Sequence, residues 1–500
     1  MTVFHIGNSF TFVDNPAPMV AAISKYLVIK KDSFTKSIDH AEYALTGKTV
    51  LKTIYRPETI NLYNHMRQCF PTGRLGYITD WMWENKLPFQ IIDERVKPEP
   101  HLNIEYVGPA SDGSNGKPPR PYQMRAATVL KERGGRGILH HATASGKTCT
   151  AARMIAELKV NTLYIVPSLE LLHQSVEALE AMLKVPGGIG TIGDNEWNPK
   201  SVTVATAATL WSRYNTTACK ELLGNTEFLI GDEVHHVQVK ERGRSTKTGS
   251  GEVTQVNSWY IIALNCNAYY RAGMTGTPGK NIEQKRVLLE CCIGRVIDRV
   301  SARELIDAGI ISDVEIHMHT IKHSQRYADY HTAKKECVLN NEKFNEYVVS
   351  IAIAELKQGK SVLLITGSKA YQGPLLQQIF ARYGMDIPFV SGDSVKSDRK
   401  NAREDFKKGK LRCIIATIYR EGVDFPALDV GILCEGGNDE KKTIQFLGRV
   451  LRKAEGKGIA HLHDFQHKDH GVLQKHSAQR LSDFVNEELD KIITHRGIEV

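Results

Sequence analysis

The sequence predicts an α/β chain, with two parallel sheets in tandem behind a small N-terminal α+β region, on three observations. From residue 122 onward, short apolar runs alternate with helical patterns, as strands and covering helices do in parallel sheets. A small-residue loop ending in Gly146-Lys147-Thr148 sits between one such run and one such helix. The tract from Ser111 to Pro121 is polar, rich in Gly and Pro and without apolar periodicity, so it reads as a linker. At 500 residues the chain is too long for a single core.

The elements follow in order. Residues 1–108 form a small domain, 109–121 the linker, 122–300 the first α/β domain and 301–500 the second. Strands are predicted at 162–166, 201–205, 361–365 and 413–416, with helices at 168–183 and 372–382. The boundary near 300 rests on Ser301-Ala302-Arg303-Glu304, which reads as a capped helix ending in Gly309 before a strand at 314–318. With 41% hydrophobic and 24% charged residues the composition is that of a globular protein. No apolar run approaches the roughly 18 residues that a membrane span needs. The N-terminus lacks the basic-then-apolar layout of a signal peptide, so the expected location is the cytoplasm. Nine cysteines without a CxxC pair fit free thiols in a reducing compartment. A net charge of +9 is compatible with a polyanionic partner without requiring one.

The chemistry is concentrated at His140-His141-Ala142-Thr143-Ala144-Ser145-Gly146-Lys147-Thr148. Backbone N–H groups of such a loop surround a phosphate, the Lys ammonium reaches the outer phosphates, and the Thr hydroxyl binds Mg²⁺. The helix expected over 149–158 points its N-terminus at the same anion. Asp232-Glu233, at the end of the apolar run 227–231, adds one carboxylate for the metal and another to polarise water. The pair predicts hydrolysis of a nucleoside triphosphate. A second Gly-Lys-Thr at 47–49 lacks a preceding buried strand and an acidic partner, and reads as coincidence.

Further segments occur in a fixed order. Arg120-Pro121-Tyr122-Gln123 precedes the loop. Val166-Pro167-Ser168, Thr206-Ala207-Ala208-Thr209, and Thr275-Gly276-Thr277-Pro278 follow it. In the second half come Thr366-Gly367-Ser368, Ser391-Gly392-Asp393, Thr417, Glu421-Gly422-Val423-Asp424 and Gln445-Phe446-Leu447-Gly448-Arg449-Val450-Leu451-Arg452. This order resembles the superfamily 2 helicases, in their DExH-type, duplex-translocating branch. Within that branch the chain is similar to the bacteriophage UvsW-type helicases, on its short length, Gly190-Thr191-Ile192-Gly193-Asp194, and Phe70-Pro71-Thr72-Gly73-Arg74-Leu75-Gly76-Tyr77.

The resemblance implies two tandem RecA-like domains, an N-terminal accessory domain that binds duplex DNA, and ATP with Mg²⁺ as cofactors. It implies that Tyr122 and Gln123 serve the adenine, and that residues 143–148 (Thr143, Ala144, Ser145, Gly146, Lys147, Thr148) cradle the phosphates. Thr148 and Asp232 would hold Mg²⁺, Glu233 would activate water, and Gln445, Arg449 and Arg452 would act on the γ-phosphate. Arg449 and Arg452 stand at i and i+3, so on a helix both would project from one face. Gly422 and Asp424 complete the nucleotide set, Asp424 at the ribose. Pro167, Ser168, Thr206, Thr209, Thr366, Ser368, Gly392 and Thr417 would grip nucleic-acid phosphates, without reading sequence. The implied partner is forked or branched DNA, with single-strand-binding or recombination proteins beside it, and the chain acting as a monomer. An RNA helicase, the motor subunit of a restriction complex and a non-hydrolysing nucleotide-gated clamp are the rival readings.

The sequence departs from the family pattern at His141 and Ala144, where Gly is usual. Alanine is tolerated unless φ there must be positive. The basic stretch at 240–251, with Arg242 and Lys247, reads as an insertion that contacts DNA or as a solvated loop. His461, His463, His467 and His470, with Asp464 and Asp469, have the ligand density of a metal site, but the resemblance implies instead a core strand ending in Asp and the loop after it. Trp81 and Trp83 read as core of the small domain rather than as a base-stacking wedge.

Overall fold

The computed structural model describes residues 1–38, 51–108, 120–234, 258–276, 283–327, 329–391, 394–417, 428–437, 440–454 and 456–500. The second Gly-Lys-Thr at 47–49, most of the linker, His235, His236 and Thr277 lie outside them, as do the basic stretch at 240–251 with Arg242 and Lys247, Gly392, Gly422 and Asp424. Two compact units are formed. One comprises Met1–Leu139 with Thr148–Asp298, the other His140–Lys147 with Arg299–Val500.

In the first unit, an eight-stranded sheet runs in the order Glu196–Asn198, Gly190–Gly193, Val202–Thr206, Thr162–Val166, Phe228–Asp232, Tyr270–Thr275, Arg136–His141, Val296–Val300. Strands 162–166, 202–206 and 228–232 are buried along their whole length, as expected for a parallel sheet covered on both faces. The helix Leu169–Met182 follows strand 162–166, its first turn capped by the Ser168 hydroxyl, which accepts from the Leu171 N–H at 3.3 Å.

The N-terminal residues form a four-stranded mixed sheet in the order Cys69–Pro71, Phe10–Asp14, Thr2–Ile6, Phe89–Asp93, together with a long antiparallel ribbon, Val28–Ile38 with Leu51–Asn61. They share the first unit with the eight-stranded sheet through buried polar anchors. Arg74 pairs with Glu290, both nearly inaccessible, and Tyr77 Oη donates to the same carboxylate at 2.8 Å. Gly73 is needed because a Cβ there would lie 1.9 Å from the Glu290 carbonyl oxygen. Arg271, wholly buried, donates to Ser9 Oγ at 2.9 Å and to the Ala263 carbonyl at 2.7 Å. The segment 70–77 is thus a docking element. Trp81 is half-buried and packs against the core beside the buried Met82, whereas Trp83 is 78% exposed, so the reading as core is corrected for Trp83. Helix Leu75–Glu84 turns one face inward, and Trp83 falls on the other.

The second unit holds a seven-stranded sheet in the order Phe389–Val390, Cys413–Ala416, Val362–Ile365, Val430–Leu433, Ala460–Lys468, Val314–Lys322, Ile492–His495, every pair parallel. The Ser301 hydroxyl caps helix Ala302–Asp307 through the Glu304 N–H, and Gly309 ends it at φ +66°. All nine cysteines are free thiols. No helix among the described residues is long and apolar enough to cross a membrane.

Candidate nucleotide and nucleic-acid site

Strand Arg136–His141 is buried throughout and delivers the chain into the loop at 142–146, after which Lys147 opens helix Lys147–Leu158. Lys147 and Thr148 therefore lie in the first turn, where N–H groups without an intrahelical partner favour an anion. Both side chains are half-buried and Ser145 is buried. Ala144 has φ +69° and Gly146 φ +82°. The condition under which alanine was to be tolerated is thus not met. Ala144 is held in the left-handed region, at a cost of roughly 1–2 kcal/mol for a residue with a Cβ. Ala144→Gly is expected to raise thermal stability modestly and leave hydrolysis intact. A lower melting midpoint in Ala144→Gly would contradict the assigned backbone geometry.

Asp232 ends its strand with a side chain that is 8% exposed. Its Oδ1 accepts the Glu233 N–H at 2.9 Å, and its Oδ2 accepts Tyr164 Oη at 3.0 Å. Burial, reinforced by the neighbouring Asp232 carboxylate, pushes the Tyr164 phenol well above its usual range, so it stays a donor. Glu233 has φ +44°, an uncommon conformation for a non-glycine residue and one that clusters at functional sites. The donor set of a threonine hydroxyl and a fixed carboxylate suits Mg²⁺, a hard cation that prefers oxygen.

Upstream, Pro121 starts helix Pro121–Glu132. Gln123 is buried, its Oε1 accepting the Arg120 N–H at 3.0 Å, and Arg120 Nη1 donates to Tyr122 Oη at 2.9 Å. This return of the Gln123 side chain to the N-cap N–H orients its amide.

In the second unit, helix Glu440–Val450 carries Gln445 and Arg449 one turn apart, with Arg449 8% exposed. The expectation that Arg452 shares that helix is corrected: the helix ends at Val450, and the Arg452 N–H turns back to the Arg449 carbonyl at 3.3 Å. Lys457 fixes this ending. Its ammonium donates to the carbonyls of Val450 and Arg452, the latter at 2.8 Å, and burial lowers its pKa to about 8. Also within this unit, a Cβ at Gly448 would stand 2.3 Å from the Cβ of Thr143, so only glycine fits there.

Several hydroxyls expected to grip phosphates are engaged locally. Ser168 caps its helix, and Thr206 caps helix Ala207–Ser212 through the Thr209 N–H at 3.3 Å while bonding the Thr209 hydroxyl at 2.8 Å. Pro167 precedes the first cap and is half-buried. Thr366 Oγ1 accepts the Ser368 N–H at 3.2 Å, and Ser368 Oγ accepts the Tyr371 N–H at 3.1 Å. The Thr417 N–H is bonded to the Val390 carbonyl at 3.2 Å. These residues stand at the C-terminal ends of strands or just beyond them, where open α/β sheets bind ligands.

Sequence reasoning missed Tyr164, Lys457 and Gln372. Gln372 is fully buried, accepts the Gly367 N–H at 2.9 Å and donates to Asn345 Oδ1 and the Cys434 carbonyl, which locks the loop at 366–368. A tyrosine inside the apolar strand Thr162–Val166 signals that its hydroxyl needs a partner without naming one, and Gln372, opening a helix with other polar residues, carried no such signal.

Residues 116–280 match the family described as Type III restriction enzyme, res subunit, and residues 342–454 match the helicase conserved C-terminal domain. The chain is 27% identical over 380 residues to the DNA 3'-5' translocase XPB2 of Sulfurisphaera tokodaii, covering 68% of this chain and 80% of that one. It is 23% identical over 354 residues to the ATP-dependent DNA helicase uvsW of Enterobacteria phage T4, covering 66% of this chain and 64% of the relative. Among solved structures, the ATP-dependent Type ISP restriction-modification enzyme LlaBIII bound to DNA matches at a TM-score of 0.55 and 14% identity. That match covers 85% of this chain and 36% of the other. With paired parallel sheets, a phosphate loop opening a helix and both helicase domain families matched in order, the chain belongs to the superfamily 2 helicases and is an ATP-dependent helicase of RecA-like architecture.

Proposed function

We propose that this helicase is a Mg²⁺- and ATP-dependent DNA translocase that remodels branched DNA, such as forks and Holliday junctions, in phage recombination, repair and replication. The observation that carries the reading is the sequence likeness to two relatives named as DNA motors, one of them the phage enzyme. The docking element at 70–77, which the resemblance to UvsW-type helicases singled out, adds support because its arginine and glycine have defined structural work.

In this reading Lys147 neutralises the outer phosphates and Tyr122 with Gln123 orients the base. Glu233 takes a proton from the attacking water, and Gln445, Arg449 and Arg452 stabilise the transferred phosphoryl group. Thr148 and Asp232 would hold Mg²⁺, which supplies charge neutralisation at the phosphates. Tyr164 keeps the Asp232 carboxylate oriented. Gly422 and Asp424 keep their proposed place at the nucleotide. Nucleic-acid phosphates are gripped at Pro167, Ser168, Thr206, Thr209, Thr366, Ser368, Gly392 and Thr417, with Arg242 and Lys247 adding charge. Because Ser168 and Thr206 hydroxyls already cap helices, their contribution comes through the helix N-termini they stabilise.

The test is ATPase and unwinding on forks, four-way junctions, plain duplex and structured RNA. Junction-stimulated turnover is expected. Glu233→Gln should lower turnover by on the order of 10²–10⁴, the range of a lost acid–base group, and Lys147→Ala should abolish it by removing the charge on the outer phosphates, while DNA binding persists in both. Stimulation by RNA alone would overturn the reading. The likeness to restriction-enzyme motors favours a second reading, a motor subunit, which predicts stable co-purification with a nuclease or methylase.

A further inference from the structure

The histidine-rich face of the second sheet assembles a ligand set that the nucleotide site does not use. Strands Ala460–Lys468 and Val314–Lys322 pair in parallel with Glu315 opposite His461 and His317 opposite His463. Period-two alternation puts Glu315, His317 and His461 on one face. Three atoms converge there. Glu315 Oε2 stands 3.8 Å from His317 Nε2 and 3.5 Å from His461 Nδ1, and the two ring nitrogens are 3.1 Å apart. Ligands about 2.0–2.1 Å from a tetrahedral Zn²⁺ are separated by about 3.4 Å, so the triangle already has the edges of such a site. Among the described residues, no other group of three or more His, Cys, Asp or Glu meets that spacing.

The remaining nitrogen of His317 is accounted for. His317 Nδ1 lies 2.9 Å from His495 Nε2, on the adjacent strand Ile492–His495. A proton on Nδ1, given to His495, leaves the Nε2 lone pair directed at the triangle, and such outer partners commonly orient metal-bound histidines. The three side chains are 12–30% exposed, enough for an ion and a water to enter. The tempting run His461, His463, His467, His470 is not itself the site. His463 faces Glu355, His467 faces His323, and Asp464 is held by Arg480, so only His461 is shared.

We propose that Glu315, His317 and His461 form a three-ligand Zn²⁺-class site, with His495 as the positioning partner of His317 and a fourth coordination position left to water. The ion would tie together two strands whose ligands are far apart in sequence, and so stabilise the second unit. The experiment uses the full chain without nucleotide, in excess Mg²⁺, with Zn²⁺ binding followed by equilibrium dialysis and metal analysis, and Co²⁺ as a spectroscopic probe. One Zn²⁺ per chain and a visible Co²⁺ spectrum of low coordination number are expected. Affinity should fall at least tenfold in Glu315→Gln and His461→Ala, and 10–100-fold in His495→Ala. Glu315→Gln is isosteric and partly exposed, so its fold should survive, and near-ultraviolet circular dichroism verifies this for each variant. Absence of stoichiometric Zn²⁺, or unchanged affinity in folded Glu315→Gln and His461→Ala, would overturn the site.

Discussion

Arg449→Ala is expected to lower kcat for ATP hydrolysis by on the order of 10³–10⁵, the range measured when an arginine finger is removed. The side chain is 8% exposed on a helix that ends one residue later, and that ending is pinned by the Lys457 ammonium. In the proposed role, a buried guanidinium on a pinned helix end would lose little entropy on meeting a developing negative charge, so its electrostatic contribution would fall mostly on the transition state. The apparent affinity for ATP should change far less than kcat. Arg449→Lys should recover only part of the rate, since a point charge cannot reproduce the planar fork. Steady-state ATPase at saturating DNA, with circular dichroism to verify folding, decides the matter: a loss below tenfold in Arg449→Ala would remove the residue from the catalytic set.

The second large effect concerns stability. Asp464 is wholly inaccessible and Arg480 nearly so. Arg480 Nε donates to Asp464 Oδ2 at 2.8 Å and Nη2 to Oδ1 at 2.8 Å, while the other donors reach the carbonyls of Phe465 and Gly437. Each of the three guanidinium nitrogens has an acceptor, the kind of pairing under which a buried ion pair persists. Asp464→Asn leaves the guanidinium buried opposite a neutral amide and is expected to destabilise the second unit by about 3–5 kcal/mol. Denaturant unfolding would show this as an earlier transition. The exposed partner set of Arg382 with Glu342 and Glu346 provides the contrast, and Arg382→Ala should leave the transition in place. Equal midpoints for Asp464→Asn and the unaltered protein would show that the pair contributes nothing to the fold.

The local structure around the candidate nucleotide residues was legible because it is set by short segments of sequence. The phosphate loop lies between a buried strand and a helix whose bounds, 147–158, differ from the reading by two residues. Asp232-Glu233 likewise sit at a strand end, and Ser168 and Ser301 cap the helices their types predict. Tyr164 was not legible. Its relation to Asp232 depends on strand 162–166 lying beside strand 228–232, with Tyr164 opposite Ile230, and strand order carries no local signature. The same holds for Gln372, whose three partners come from separate elements.

Side-chain exposure was the weakest inference. Trp81 and Trp83 look alike in sequence, yet one is half-buried and the other projects to solvent, because two positions along a helix face directions about 200° apart. Ala144 shows a different limit. The sequence raised the question of its backbone, and only the turn into the helix answered it with φ +69°.

By itself the sequence determined the α/β class and the order of the motifs from which the triphosphate-binding residues are proposed, since these follow from short-range periodicity and spacing. Tertiary structure alone decided which neighbours orient those residues, which hydroxyls already cap helices, and that Glu315 and His461 share one face of one sheet. The reason is that strand register joins positions far apart in the chain, and a register is set by the whole packed sheet rather than by any segment of it.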